Sequence, residues 1–119
     1  MDWTPNKDKP ICPQLCEHIC VRIANGDYSP GEKLPSVREM AVMTGVNPNT
    51  VQRSYEILEQ RGIVVSVRNS GNFVSEDIAI AKDELESMRK QKISEFFSAM
   101  KALGVETKAV IKYIEEWNK

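Results

Sequence analysis

Two signals for starting an α-helix stand only eleven residues apart in this sequence, at Ser36 and at Asn47. Ser36 followed by Glu39 is a capping box: the serine hydroxyl accepts from a free backbone N–H of the first turn, and the glutamate returns to the serine N–H. Gly45 stops the helix that begins there after about two turns. Asn47-Pro48 then starts another, because asparagine is a favoured cap and proline at the first helical position lacks only an N–H that had no partner. Val37, Met40, Ala41 and Thr44 form the apolar stripe of the first helix. Thr44-Gly45-Val46 is the short glycine-bearing joint that a helix-turn-helix requires.

The second helix of the pair, near 48–61, buries Val51, Tyr55 and Leu58 on one side, shows Asn49, Gln52, Arg53 and Glu56 on the other, and ends at Gly62. Ile63 to Val67 is rich in β-branched residues and Phe73-Val74 is a second short β-like run. Between them Arg68-Asn69-Ser70-Gly71 predicts a hairpin with a four-residue tip, spanning 63–74. Upstream, Ile11, Leu15, Ile19 and Ile23 recur every four residues and predict a helix, with Pro13 in its first turn and Asn25-Gly26 at its end. Ser29-Pro30-Gly31 marks a turn, and Met1 to Lys9 is a polar, loose arm. The fold class is mainly α with a small β-hairpin: a winged helix-turn-helix over residues 10–75, preceded by an arm over 1–9.

Residues 76–119 carry a different pattern. Ala81, Leu85, Met88, Ile93, Phe96, Phe97, Met100 and Leu103 predict a long helix, Gly104 interrupts it, and Val110, Tyr113, Ile114 and Trp117 stripe a last one. Two helices cannot enclose a core of their own, so these faces need a partner, and the economical partner is the same tail of another copy. The expected homodimer seam comprises Leu85, Met88, Phe96, Phe97, Met100, Leu103, Ile114 and Trp117.

At 119 residues the chain has room for one small domain and an appendage. It has no Gly-rich phosphate loop, no plausible Cys/His dyad and no paired carboxylates in a pocket-sized fold, which argues against an enzyme. Cys12, Cys16 and Cys20 lie four apart, on one stripe of the first helix beside His18. Metal frameworks usually close a tetrahedron from two elements, so the stripe is expected to be small buried residues, with no metal and no cofactor. Without a signal-peptide h-region or a bilayer-spanning run, the chain is expected in the cytoplasm.

The net charge of −1 offers no global attraction to nucleic acid. Residues 1–75 hold eight Lys/Arg and eight Asp/Glu, and residues 76–119 hold eight and nine, so any basic face must be made locally by folding. Asn47, Asn49, Thr50, Gln52 and Arg53 crowd the start of the 48–61 helix. The major groove admits one α-helix, asparagine and glutamine hold adenine bidentately, and arginine holds guanine. Arg38 occupies a phosphate-clamp position on the preceding helix, and Arg68 and Asn69 at the hairpin tip are placed for the adjacent minor groove or backbone. These residues predict double-stranded DNA as the partner. The alternative is a winged helix serving as a protein-protein interaction module, which the neutral charge keeps open. A small-molecule effector could lodge against the tail or at the dimer seam, although the tail is too short for an enclosed pocket of the usual size.

The run Leu34-Pro35-Ser36-Val37-Arg38-Glu39, then Gly45-Val46-Asn47-Pro48-Asn49-Thr50-Val51 and Leu58-Glu59 through Gly62, resembles the winged-helix domain of GntR-type regulators. With its Asn-Pro-Asn-Thr and short two-helix tail, the chain is similar to the YtrA subfamily. That resemblance implies a dimeric repressor or regulator of neighbouring genes, acting on an inverted-repeat operator. It also implies DNA contacts by Arg38, Asn47, Asn49, Thr50, Gln52, Arg53, Arg68 and Gly71. The family's wing usually reads Arg-Gly-x-Gly; here Asn69 takes the place of the first glycine, and asparagine tolerates left-handed geometry.

Overall fold

Both helix starts form. Ser36 Oγ accepts from Glu39 N at 3.1 Å while Glu39 Oε1 accepts from Ser36 N at 2.8 Å, which closes the capping box reciprocally. Asn47 Oδ1 accepts from Asn49 N at 2.8 Å, with Pro48 beginning the next helix. The computed structural model describes residues 3–117, so residues 1–2 of the expected arm and 118–119 of the expected tail lie outside the described residues. The element order is α1 (Ile11–Ala24), α2 (Val37–Thr44), α3 (Pro48–Gln60), β1 (Val64–Val67), β2 (Gly71–Val74), α4 (Ala79–Ala102) and α5 (Thr107–Trp117).

The chain divides into two compact units, Met1–Leu85 and Glu86–Lys119. In the first, α1 and α2 both pack on α3. Leu15, Ile19 and Ile23 of α1, Met40 of α2, and Val51, Tyr55 and Leu58 of α3 are all buried, together with Ile63, Val64 and Val74 of the hairpin. Burying each such side chain contributes about 1.5–3 kcal/mol, which explains why α3 holds its place although its outer face is entirely polar.

The cysteine stripe sits where helices approach closely. Cys12 Sγ and Ser54 Oγ are 3.4 Å apart, and Cys16 Sγ donates to Ser54 O at 3.7 Å. Cys20 Sγ lies 3.7 Å from both Ala81 O and Glu84 Oε2 of α4. Small side chains allow that proximity, and all three thiols are free. Ser54 is fully buried, its hydroxyl turned back to Thr50 O at 2.9 Å so that the apolar contact with α1 carries no unpaired donor.

The structure adds detail to the expectations at three places. The unit boundary lies ten residues beyond the expected 75/76, because Ala81 and Leu85 of α4 are buried within the first unit. The hairpin tip is Arg68-Asn69-Ser70, one residue shorter than expected, since Gly71 already pairs with Val67. Within the described part of the arm, Gln14 Nε2 donates to Asn6 O at 2.9 Å, Asn6 N donates to Gln14 Oε1 at 2.8 Å, and the Trp3 ring meets His18 edge-on at 5.0 Å.

The turn segment before α2 also makes an unexpected isolated bridge to the two-stranded sheet. Lys33 bridges Phe73 antiparallel to β2, Leu34 N donates to Asn72 O at 2.8 Å, and Val74 N donates to Glu32 O at 2.8 Å. In the second unit, Gly104 closes α4 as Val105 N donates to Met100 O at 3.0 Å, and Val110 of α5 is fully buried. None of the described helices is long and apolar enough to cross a membrane.

Candidate nucleic-acid interface

The recognition helix candidate is built outward from its buried side. With Val51, Tyr55 and Leu58 fixed in the core, helical periodicity leaves Asn49, Gln52, Arg53 and Glu56 exposed. Thr50 is half-buried, and its carbonyl accepts the Ser54 hydroxyl. Asn47 is exposed, but its side-chain oxygen is committed to the cap. Gln52 Nε2 donates to Glu56 Oε1 at 3.1 Å, one turn further on, so its amide is oriented before any ligand arrives.

Two features fix α3 against α2. Gly45 takes a φ of 71° at the C-cap of α2, with its N–H donating to Ala41 O at 2.8 Å. A side chain there would force left-handed backbone that only glycine adopts freely. The Tyr55 hydroxyl donates to Pro35 O, immediately before the α2 cap. Burial pushes this phenol's pKa up, helped by the neighbouring Tyr28 and Glu39.

Arg38 is exposed on the first turn of α2. Beside it, the backbone hydrogen bond from Ser36 holds the Glu39 carboxyl below the usual carboxylate range. Among the described residues Lys33, Arg38, Arg53 and Arg68 form no ion pair. The cations of this unit that do are Arg22, near Asp27 at 3.9 Å, and Arg61, near Glu84 at 3.6 Å.

At the hairpin tip, Arg68 and Asn69 are exposed, and Ser70 N donates to Val67 O at 2.9 Å. Asn69 adopts a φ of 66°, the left-handed turn geometry that asparagine tolerates better than most residues. Gly71 has a φ of 120°, and a β-carbon on it would come within 3.1 Å of Lys33 Cε. Sequence reasoning missed this lysine. Its position depends on a backbone bridge to Phe73 that no local pattern announces.

Residues 13–74 match the family model of bacterial regulatory proteins, gntR family. This chain belongs to the GntR family. As a GntR-type protein it is a DNA-binding transcriptional regulator, and the helix-turn-helix and hairpin are that family's winged helix. It is similar to the HTH-type transcriptional regulator YhcF of Bacillus subtilis, with 37% identity over 97% of this chain and 95% of that protein. The YtrA resemblance is also borne out: the HTH-type transcriptional repressor YtrA of Bacillus subtilis is 33% identical over 94% of this chain and 87% of its own length. Among solved structures, a GntR family transcriptional regulator from Listeria monocytogenes superposes with a TM-score of 0.85 at 35% identity, covering 94% of this chain and 98% of its own. The AraR DNA-binding domain in complex with operator ORR3 superposes at 0.55 with 27% identity, covering 63% of this GntR chain and 90% of its own.

The residues expected at the seam divide between the two units of this GntR regulator. Leu85 is buried in the first. In the second, Phe96, Met100, Ile114 and Trp117 gather with Tyr113 around one open apolar cleft of about 490 Å³. Phe97 lines a more polar cleft with Ser94, Ser98 and Thr107, Met88 is half-buried, and Leu103 is 77% exposed.

Proposed function

We propose that this GntR regulator is a cytoplasmic homodimeric repressor that binds an inverted-repeat operator, laying α3 in the major groove and the β1–β2 wing alongside. The observation that carries the reading is the exposed face Asn49, Gln52 and Arg53 on a helix whose start is capped and whose opposite face is buried. Those three side chains have the donor and acceptor sets that read adenine and guanine edges. Asn47 and Thr50 fix the helix start near phosphate, where backbone amides and the helix dipole favour an anion. Arg38, Arg68, Asn69 and Gly71 contact the sugar-phosphate backbone on either side.

Dimerisation is supported by the apolar surface that the single chain leaves open. Phe96, Leu103, Ile114 and Trp117 are all exposed, and Trp117 is 86% so. Exposed apolar patches of this kind mark interaction sites. Repression is supported by the relative YtrA, which is a transcriptional repressor. A small-molecule effector would act against the tail or at the dimer seam.

Selection of binding sites from random duplexes by the purified protein, together with its mass in solution, tests the reading. The expected result is an inverted repeat with half-sites about 34 Å, or a multiple, apart, and a mass of twice 13.5 kDa. A monomer that enriches no duplex refutes it and favours the protein-interaction module.

A further inference from the structure

We propose that Lys33, which lies outside the helix-turn-helix and the hairpin tip, is a phosphate-positioning residue of the wing. The inference rests on the DNA-binding reading above.

The backbone of Lys33 is fixed by the antiparallel bridge it forms to Phe73 of β2. Gly31 N donates to Val74 O at 3.0 Å, Val74 N to Glu32 O at 2.8 Å and Leu34 N to Asn72 O at 2.8 Å. Side chains alternate along an extended segment, and Leu34 is buried while Lys33 is exposed. The lysine side chain then runs across Gly71: its Cε lies 3.1 Å and its Nζ 3.8 Å from where a β-carbon on that glycine would stand. The ammonium is thereby carried to the first residue of β2, which pairs with Val67 and directly follows the Arg68-Asn69-Ser70 tip.

No carboxylate is paired directly with this charge among the described residues, although Lys33 lies near enough to Glu39 to help lower the pKa of that carboxyl. Glu32 Oε1 accepts from Ser29 N at 2.8 Å, and Glu39 Oε1 accepts from Ser36 N at 2.8 Å, so the acids beside it in sequence and on α2 serve backbone donors instead. A cation carried to the tip end of the wing without an ion-pair partner among the described residues has the chemistry of a phosphate contact. Gly71 therefore acts in the wing through the passage it leaves for Lys33 as well as through its own backbone.

The competing explanation is that the butyl chain of Lys33 merely covers Gly71. Lys33→Met keeps that cover and removes the charge, Lys33→Arg keeps the charge, and Lys82→Met removes an exposed charge elsewhere in the same unit. Each full-length variant is titrated with its selected duplex and with a random one across a salt series. Each phosphate contact contributes about 0.9 to the slope of log K against log salt. Lys33→Met is expected to weaken both duplexes by the same factor and to flatten the slope by about 0.9 for each wing engaged. Lys33→Arg and Lys82→Met are expected to keep the wild-type slope. A wild-type slope in Lys33→Met overturns the proposal and leaves the DNA reading standing, as does a loss confined to the selected duplex. Wild-type protein that binds no duplex at low salt overturns both.

Discussion

Tyr55 of the recognition helix and Pro35, the residue before the α2 cap, are joined by a hydrogen bond from the buried phenol to the proline carbonyl. That bond ties the reading helix to the entrance of its companion, twenty residues earlier in sequence. It therefore adds a second tie between the two helices besides the Gly45 joint.

Tyr55→Phe is expected to destabilise the folded chain by about 1 kcal/mol, because it removes the bond and leaves a partly buried carbonyl without its donor. The urea midpoint should fall with an unchanged m-value. The raised phenol pKa adds a second readout. Its contribution is fully present below the unfolded value near 10 and is lost as pH rises further, so the wild type should lose more stability on alkalinisation than Tyr55→Phe. Parallel curves would show that the phenol has no such role.

Substitutions on the interface should separate into two classes. Asn49→Ala and Arg53→Ala are expected to cost about 1–3 kcal/mol of discrimination between selected and random duplexes. Arg38→Ala should lower affinity for both duplexes alike and flatten the salt slope, because phosphate contacts carry no sequence information. Competition gel shifts at several salt concentrations measure both. Identical profiles for the two classes would refute the division.

Gly45→Ala is expected to cost about 1–2 kcal/mol through backbone conformation alone. No atom lies within 4 Å of the added β-carbon, so there is no clash to contribute. Gly45→Asn should recover part of the loss, since asparagine tolerates this region. Thermal melts of the two variants compare them directly, and an asparagine variant less stable than the alanine one would contradict the account.

The thiols should differ sharply in reactivity. Burial, and then the Glu84 carboxylate, push the Cys20 pKa up to about 12, and burial likewise raises that of Cys16. Since the thiolate is the nucleophile, both should resist alkylation at pH 8 in the folded protein and react only on unfolding, whereas the half-buried Cys12 is labelled first. Peptide mapping after a short pulse of reagent reads the order, and rapid native labelling of Cys20 would be inconsistent with its packing against α4.

His18 provides a pH test of the arm. Burial and then the nearby Arg22 lower its pKa, so the fold favours the neutral ring. Stability from this group is complete above the unfolded value near 6.5 and declines as pH falls below it. His18→Gln should therefore lose less stability than the wild type between neutral and mildly acidic pH, measured by urea midpoints. An equal loss would detach His18 from the effect.

Most of the winged helix was legible because its decisive signals are local. A capping box, an Asn-Pro start and glycines at helix ends each act within a few residues, and the polar face of α3 follows from the periodicity of Val51, Tyr55 and Leu58. What escaped notice depends on pairing across sequence distance. The bridge at Lys33 exists only because β2 has a free edge, and the charged residues around it carry no β signal. The boundary after Leu85 was hidden because α4 is one uninterrupted helix, so its first turns give no sign of packing on the cysteine stripe. Ser54 looks like a surface residue in sequence, and its burial reflects the closeness of α1. That Arg38, Arg53 and Arg68 form no ion pair among the described residues was equally invisible in a chain whose charges nearly cancel.

The bridge between Lys33 and Phe73 bears on how quickly and tightly an operator can be gripped. A free two-stranded ribbon is marginal in water and must give up motion whenever it meets a ligand. Here β2 lies between two neighbours at its base, so much of that ordering is completed during folding. Discrimination against wrong sequences can then rest on what α3 touches, with little affinity lost to immobilising the ribbon beside it.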